Sequence, residues 1–240
     1  MYDEWVSATR VVLRTEELVF IDKPAGMLVH CAAWAGPRER ALVDDVEQLL
    51  GEGWHPLHRL DRQTSGVVAF ARAGTVPRWQ AALAHADKRY WALVRGHVLQ
   101  RVEVDHALRC STRDGDAPDT APKAARSLVT PLLQCQLERC SLVEVRLFSG
   151  RRHQARRHLK HISHPVIGDA SHGKGPLNRD YRARWGIARM ALHARSLALP
   201  MDGLQARAVA PLPFELRAPL VLLFGEAAIA LLEASDAAIP

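Results

Sequence analysis

Two stretches of the chain concentrate residues that can do chemistry. The first is His58 to Gly66, HRLDRQTSG, in which Asp61 stands between Arg59 and Arg62 and the chain runs on through Thr-Ser-Gly into an apolar segment. A carboxylate at the mouth of a strand can be held rigidly at the edge of a cleft. Neighbouring arginine keeps it ionised, fit to act as nucleophile or general base. The same residue types also suit a turn whose Asp caps its own backbone, and the nonapeptide alone leaves both readings open. The second stretch is Arg151 to His164, RRHQARRHLKHISH, with four His, four Arg and one Lys. A metal site there would want Cys or acidic ligands or an H-E-x-x-H spacing, and crowded arginine repels a cation. The composition suits a basic helix facing RNA better than a metal centre.

These residues need elements to hold them. Glu17 to Ile21 (ELVFI) reads as a short buried strand running into a turn at Asp22 to Gly26. Leu42, Val43, Val46, Leu49 and Leu50 follow helical spacing, and Gly51 ends the run. Ser65 to Ala71 (SGVVAFA) is apolar without alternation, as in a strand covered on both faces. Val76, Trp79, Leu83 and Ala86 mark another helix face. Tyr90 to Val94 predicts a strand closed by Gly96, and Ser141 to Phe148 another. Cys110 to Ala125 reads as an exposed loop. Arg151 to Ser163 is compatible with a helix ending just before Pro165. Leu220 to Phe224 reads as an apolar strand and Glu226 to Ala234 as a last helix. Strands and helices mix without a βαβ rhythm. The expected fold is therefore α+β with a mixed, mainly antiparallel sheet flanked by helices. No repeat and no linker splits the chain, so residues 1–240 read as one domain.

Composition narrows the partners. The chain has 240 residues, 48% of them hydrophobic and 24% charged, enough apolar material for a core. The net charge is +6, and only five of the 32 basic residues are lysine, leaving 27 arginines. Arginine suits bidentate phosphate contacts and stacking on bases, although genomic base composition alone can also produce the skew. A basic chain without a membrane signal favours a nucleic-acid partner. The first residues carry acids and an Arg where a secretory signal needs an apolar run. The stretch from Pro219 to Leu232 is too short to span a bilayer and is broken by Gly225 and Glu226. Cys31, Cys110, Cys135 and Cys140 form no C-x-x-C pair and read as reduced thiols of a cytoplasmic protein. Trp5 and Trp34 read as packing residues.

Taken as a whole, the nonapeptide resembles the signature of the RluA-type pseudouridine synthases, which convert uridine in RNA to its C-glycoside isomer. Further landmarks follow in the family's order. Lys23 to His30 (KPAGMLVH) is similar to its KPxGxxVH loop, and Lys88 to Gly96 (KRYWALVRG) to its KxYxALVxG strand. Gly150 to Arg156 (GRRHQAR) is similar to GRxHQxR, His164 to Asp169 (HPVIGD) to HPIxGD, and Leu192 to Ala194 to LHA. The KPxG loop begins at Lys23, which resembles members without an S4-type RNA-binding domain. Arg157 after the HQxR arginine, Ala170 to Gly173 after Gly-Asp, Leu177 to Arg179 and Arg189 to Ala194 resemble the branch that modifies uridine 65 of tRNA. Ala155 departs from the branched apolar residue usual in HQxR. The segment between Ala107 and Ser141 reads as shorter than usual for that branch.

The resemblance implies a pseudouridine synthase fold and roles for individual residues. Asp61 takes the place of the family's essential aspartate, Tyr90 that of the tyrosine packing against the target base, and Arg156 that of the arginine pairing with the aspartate. Arg59 takes the place of an arginine associated with flipping the nucleotide. Arg62, Arg151, Arg152 and Arg157 are expected to bind RNA. No cofactor and no metal are expected, because the reaction is an isomerisation. The expected partner is RNA, first of all tRNA, with no membrane and a monomeric state. The alternatives are a synthase acting on rRNA or another tRNA position, a non-catalytic RNA-binding protein, and a nucleoside hydrolase.

Overall fold

The computed structural model describes residues 9–31, 40–109, 121–201 and 204–237. They fall into two compact units. One gathers residues within 1–87, 193–213 and 234–240, the other residues within 88–192 and 214–233. The chain passes between units repeatedly, which is why no single linker is visible in the sequence.

The first unit is a sheet built around two strands covered on both faces. β1 (Arg10–Arg14), β2 (Leu18–Lys23), β3 (Trp54–Pro56), β4 (Ser65–Arg72), β9 (Leu192–Met201, apart from its first residue) and β10 (Leu204–Val209) pair in the order β1-β2-β4-β9-β10, with β3 also on β4. All pairings are antiparallel except β4 with β9, which is parallel and sets Ser65 opposite His193 and Gly66 opposite Ala194. The unbroken apolar runs LVFI and GVVAFA lie fully buried, as their lack of alternation predicts. Leu18, Phe20, Val67, Ala69, Leu197 and Leu199 form the centre of this core. Helix α1 (Leu42–Leu50) ends at Gly51, and helix α2 (Val76–Leu83) buries Trp79.

The second unit is an antiparallel meander covered by helices. β5 (Asp87–Arg95), β6 (Val102–Asp105), β7 (Arg126–Cys135) and β8 (Cys140–Leu147) run in the order β5-β8-β7-β6. Helix α3 (Gln154–His161) lays Ala155 and Leu159 on the sheet against Val94, Val129, Val143 and Val145. Ala155 is itself buried. Helix α4 (Gly175–Trp185) precedes helices α5 (Phe214–Phe224) and α6 (Glu226–Ala237, whose last turn is counted with the first unit).

Two expectations need correction. Leu220 to Phe224 is not a strand; it is the end of α5. Leu216, Leu220 and Leu223 are buried while Leu222 is exposed, a helical stripe that a short apolar run cannot distinguish from a strand. Pro219 lies inside α5, which forgoes the hydrogen bond a proline cannot donate. The second correction is at Arg151 to Ser163. Only Gln154–His161 is helical, because His153 is left-handed at φ 53° and Ser163 at φ 66°. Of the loop expected at Cys110 to Ala125, residues 110–120 lie outside the described residues, as do Trp5 and Trp34. Among the described residues no helix is long and apolar enough to cross a membrane.

Candidate active site

In the first unit Asp61 sits half-buried on the loop between β3 and β4, with Arg59 and Arg62 exposed on either side. The loop is fixed at several points. Thr64 N–H donates to Asp61 O at 2.9 Å and closes a turn. Ala69 N–H donates to His58 Nε2 at 3.1 Å. Gly26 N–H donates to Arg62 O at 2.8 Å, and Arg62 Nε returns a bond to Gly26 O at 2.9 Å. Gly26 makes this turn at φ 87°, where a side chain would be strained. Lys23, at 0% exposure, donates from Nζ to Pro24 O (2.7 Å), Met27 O (2.9 Å) and Arg62 O (3.3 Å). A buried ammonium ringed by carbonyls thus ties the KPAG turn to the residue after Asp61.

Beneath the loop, His193 is fully buried. Its Nε2 lies 3.2 Å from Ala210 O, so that nitrogen carries the proton; Nδ1 then accepts from Ser65 Oγ at 2.9 Å. Partial desolvation, and then the Arg59 guanidinium, lower the pKa of His30, which places the end of the KPAGMLVH loop in the field of Arg59. The sequence therefore fixes Asp61 through the backbone of its neighbours, with its carboxylate only partly covered.

In the second unit Tyr90 stands half-buried on β5, opposite Val145, and packs against the core that contains Ala155. Arg156 on α3 is buried rather than solvated. Its Nε and Nη2 fork onto the Asp169 carboxylate at 2.7 and 2.8 Å. Asp169 Oδ1 also accepts the backbone N–H groups of Ser171 (2.8 Å) and His172 (2.9 Å). Burial alone raises the Asp169 carboxyl pKa. The bond from Arg156, the His172 amide, the Arg156 charge and the Ser171 amide outweigh it, so the net shift is downward. Gly168, at φ 81°, lets this loop pass close to Arg189, whose carbonyl oxygen lies 2.1 Å from where a Cβ would stand. His172 lies 3.2 Å from His153, ring nitrogen to ring nitrogen, and burial lowers its pKa.

The three arginines that flank Arg156 in the second stretch differ in placement. Arg151 is exposed and donates to Ala124 O at 3.1 Å. Arg157 is half-buried and donates to Arg109 O at 2.8 Å. Arg152 is half-buried next to them in sequence. His158, one of the residues that raised the metal reading, is buried between Ser127 Oγ and His106 O, and His106 stacks on His161 at 3.9 Å. Among the described residues no group of His, Cys, Asp or Glu is arranged to hold a metal ion.

Residues 17–161 match the family model described as RNA pseudouridylate synthase, a stretch that takes in the Asp61 loop, Tyr90 and Arg156. The chain belongs to the RNA pseudouridylate synthase family. Relatives agree with that membership. The chain is 37% identical over 227 residues to a protein named tRNA pseudouridine synthase C from Pectobacterium carotovorum, covering 84% of this chain and 59% of the relative. The chain thus spans less than two thirds of that relative's length. It is 34% identical to a protein of the same name from Vibrio vulnificus, covering 78% of this chain and 83% of the relative. The human protein RNA Pseudouridylate Synthase Domain Containing 1 superposes with a TM-score of 0.70 at 26% identity, over 97% of this chain and 96% of that one. Human RNA Pseudouridylate Synthase Domain Containing 4 shares the fold, with a TM-score of 0.72 at 23% identity, over 93% of this chain and 98% of that one.

As a member of this pseudouridylate synthase family, the chain carries positioning residues that the sequence reading quoted in motifs but gave no role. Asp169 orients Arg156, Lys23 anchors the Asp61 loop, and His193 supports Ser65. Each lies inside a landmark, HPVIGD, KPAG and LHA, and that membership was the available signal.

Proposed function

We propose that the chain is the synthase that isomerises uridine 65 of tRNA, with Asp61 as its catalytic carboxylate and residues 1–240 as one catalytic domain. The observation that carries this reading is that one family match, residues 17–161, includes both the Asp61 loop and the Arg156 helix. The tRNA target rests on the names of the relatives and on the Arg157 and Ala170 to Gly173 features.

In this reading the target nucleotide leaves its stack, with Arg59 taking part in its displacement. Tyr90 offers a face to the extruded uracil and compensates part of the lost stacking, about 1–3 kcal/mol per base. Asp61 acts on the ribose, at C1′ as nucleophile or at C2′ as base. Either route breaks C1′–N1, turns the uracil, and forms C1′–C5. The C5 proton is lost and N1 gains one, so atoms and electrons balance without a redox partner. Arg156, held by Asp169, takes the place of the arginine that pairs with the aspartate in the family. Arg62, Arg151, Arg152 and Arg157 contact the RNA backbone.

The test is tritium release from C5-labelled tRNA. Wild type releases tritium and Asp61→Asn does not, while the variant still binds the RNA. Wild-type turnover in the variant overturns the assignment. Binding without release by the wild type indicates a non-catalytic RNA-binding protein, and free uracil as product indicates a hydrolase. Mapping of pseudouridines in tRNA and rRNA from cells with and without the gene reads the target. An unmodified uridine 65 in the deletion is the expected result, and a lost rRNA site instead overturns the tRNA reading.

A further inference from the structure

The end of β5 remote from Tyr90 opens onto a basic groove. Arg95, Gly96, His97, Arg139, Ser163 and His164 line an open groove of about 570 Å³, with Leu99 at its edge and no acidic residue among the described residues of its lining. Its walls are preorganised. Gly96 N–H donates to Arg139 O at 2.5 Å, fixing the turn between β7 and β8 to the end of β5. Ser141 Oγ donates to Gly96 O at 2.9 Å and accepts from Val98 N–H at 3.0 Å. His97 Nε2–H donates to Cys135 O at 3.0 Å. His164 Nδ1–H donates to Arg95 O at 2.8 Å, and its ring lies so close to Gly96 that a Cβ there would stand 2.8 Å from Nδ1. Glu138, the acid nearest in sequence, is paired with Arg184 instead. Among the described residues neither Arg95 nor Arg139 has an acidic partner. Arg95 also lines a neighbouring crevice with Lys174, beside the loop of Asp169 and Gly173, so positive charge continues from Arg139 through Arg95 towards the loop that holds Arg156.

We infer that this groove is a second RNA-binding site, gripping the phosphate backbone of the substrate away from the flipped uridine. Five residues of extended chain separate Tyr90 from Arg95, about 16 Å at the rise of a strand. The contact therefore falls on nucleotides beyond the one that reacts. Two guanidinium groups without a carboxylate partner among the described residues, walls locked by main-chain bonds, and an open mouth suit a polyanion rather than a small ligand. The inference rests on the proposed RNA substrate.

The experiment compares binding to full-length tRNA with binding to a short hairpin that carries only the target stem and loop, as a function of salt. Wild type, Arg95→Ala/Arg139→Ala, Arg95→Lys/Arg139→Lys and the single exposed-site variant Arg139→Glu are titrated with each RNA. On full-length tRNA the double alanine variant is expected to lower the salt slope by about 1 per arginine. Its affinity falls roughly eight-fold per contact at 0.1 M salt, as a slope of −0.9 per phosphate gives relative to 1 M. The lysine pair retains the slope, Arg139→Glu binds full-length tRNA more weakly than wild type, and the losses are larger on full-length tRNA than on the hairpin. Equal losses on both RNAs, or no loss on full-length tRNA, overturn the inference. Absence of tritium release by the wild type refutes the proposed activity, whereas the salt slopes read the groove independently.

Discussion

Arg156 and Asp169 form a two-bond ion pair at 2.7 and 2.8 Å, with both side chains almost fully excluded from solvent. Such a pair holds the guanidinium in one plane and one orientation. It joins α3 to the end of HPVIGD, and the amides of Ser171 and His172 in the loop that follows also bond the carboxylate. The guanidinium of Arg156 is thus aimed by the carboxylate of Asp169.

Asp169→Asn keeps the shape but removes the charge. A buried arginine left with a neutral partner destabilises a fold by about 3–5 kcal/mol. Urea denaturation is expected to show a loss of that size, and tritium release by the fraction that remains folded should fall at least ten-fold. A variant with normal stability and turnover would show that Asp169 does not position Arg156.

Lys23→Met tests the anchor of the Asp61 loop. The substitution roughly preserves volume but strips a donor from the carbonyls of Pro24, Met27 and Arg62. Unsatisfied buried acceptors cost about 1–3 kcal/mol each, less whatever the loop relaxes to recover, so a stability loss of about 2–4 kcal/mol is expected. The amides of Gly26 and Thr64 should exchange with deuterium faster than in the wild type, because their partners lie on the loosened loop. Unchanged exchange at both would remove Lys23 from the positioning machinery.

Acid sensitivity follows from His158. Its pKa is lowered first by burial; the bond to His106 O works the other way, and the charges of His106, His161 and Arg157 lower it further. A histidine whose folded pKa lies below its unfolded value leaves the unfolded state binding more protons. Its contribution is therefore complete above pH of about 6.5 and is lost as pH falls below that. His172 acts with the same sign. Melting temperature should hold steady from pH 8 to 7 and decline from about pH 6.5 downward, and the decline should be shallower in His158→Gln. A stability that rises on acidification would contradict this assignment.

Much of this architecture is legible in the sequence because apolar runs report burial directly. SGVVAFA has no alternation, and its strand is covered on both faces. Leu220 to Phe224 shows the limit: the run is short and reads as a strand, whereas tertiary packing buries Leu216, Leu220 and Leu223 along one stripe of a helix. The candidate site divides in the same way. Asp61, Tyr90 and Arg156 stand out through residue type and landmark order. The groups that orient them do not, because a buried lysine on three carbonyls or an aspartate 13 residues from its arginine leaves no periodic signal. Such partners become visible only when the loops are folded against each other.

Gly66→Ala tests the close approach of two strands at the base of the Asp61 loop. Gly66 has φ 112°, and a Cβ there would lie 2.2 Å from Ala194 O and 2.8 Å from Ala194 N. The parallel contact between β4 and β9 would have to open, and it is this contact that sets Ser65 opposite His193. Strain and overpacking together predict a loss of about 3 kcal/mol. Gly74→Ala is the control: nothing lies within 4 Å of its Cβ position, so a change within about 0.5 kcal/mol is expected. The Nε2 and Nδ1 resonances of His193 provide the second measurement. Opening the strand pair should remove the Ser65 bond and shift Nδ1 while Nε2, held by Ala210 O, moves less. Equal stability of the two alanine variants would mean that β4 and β9 are not in close contact at this point, and the support proposed for Asp61 from below would fall with it.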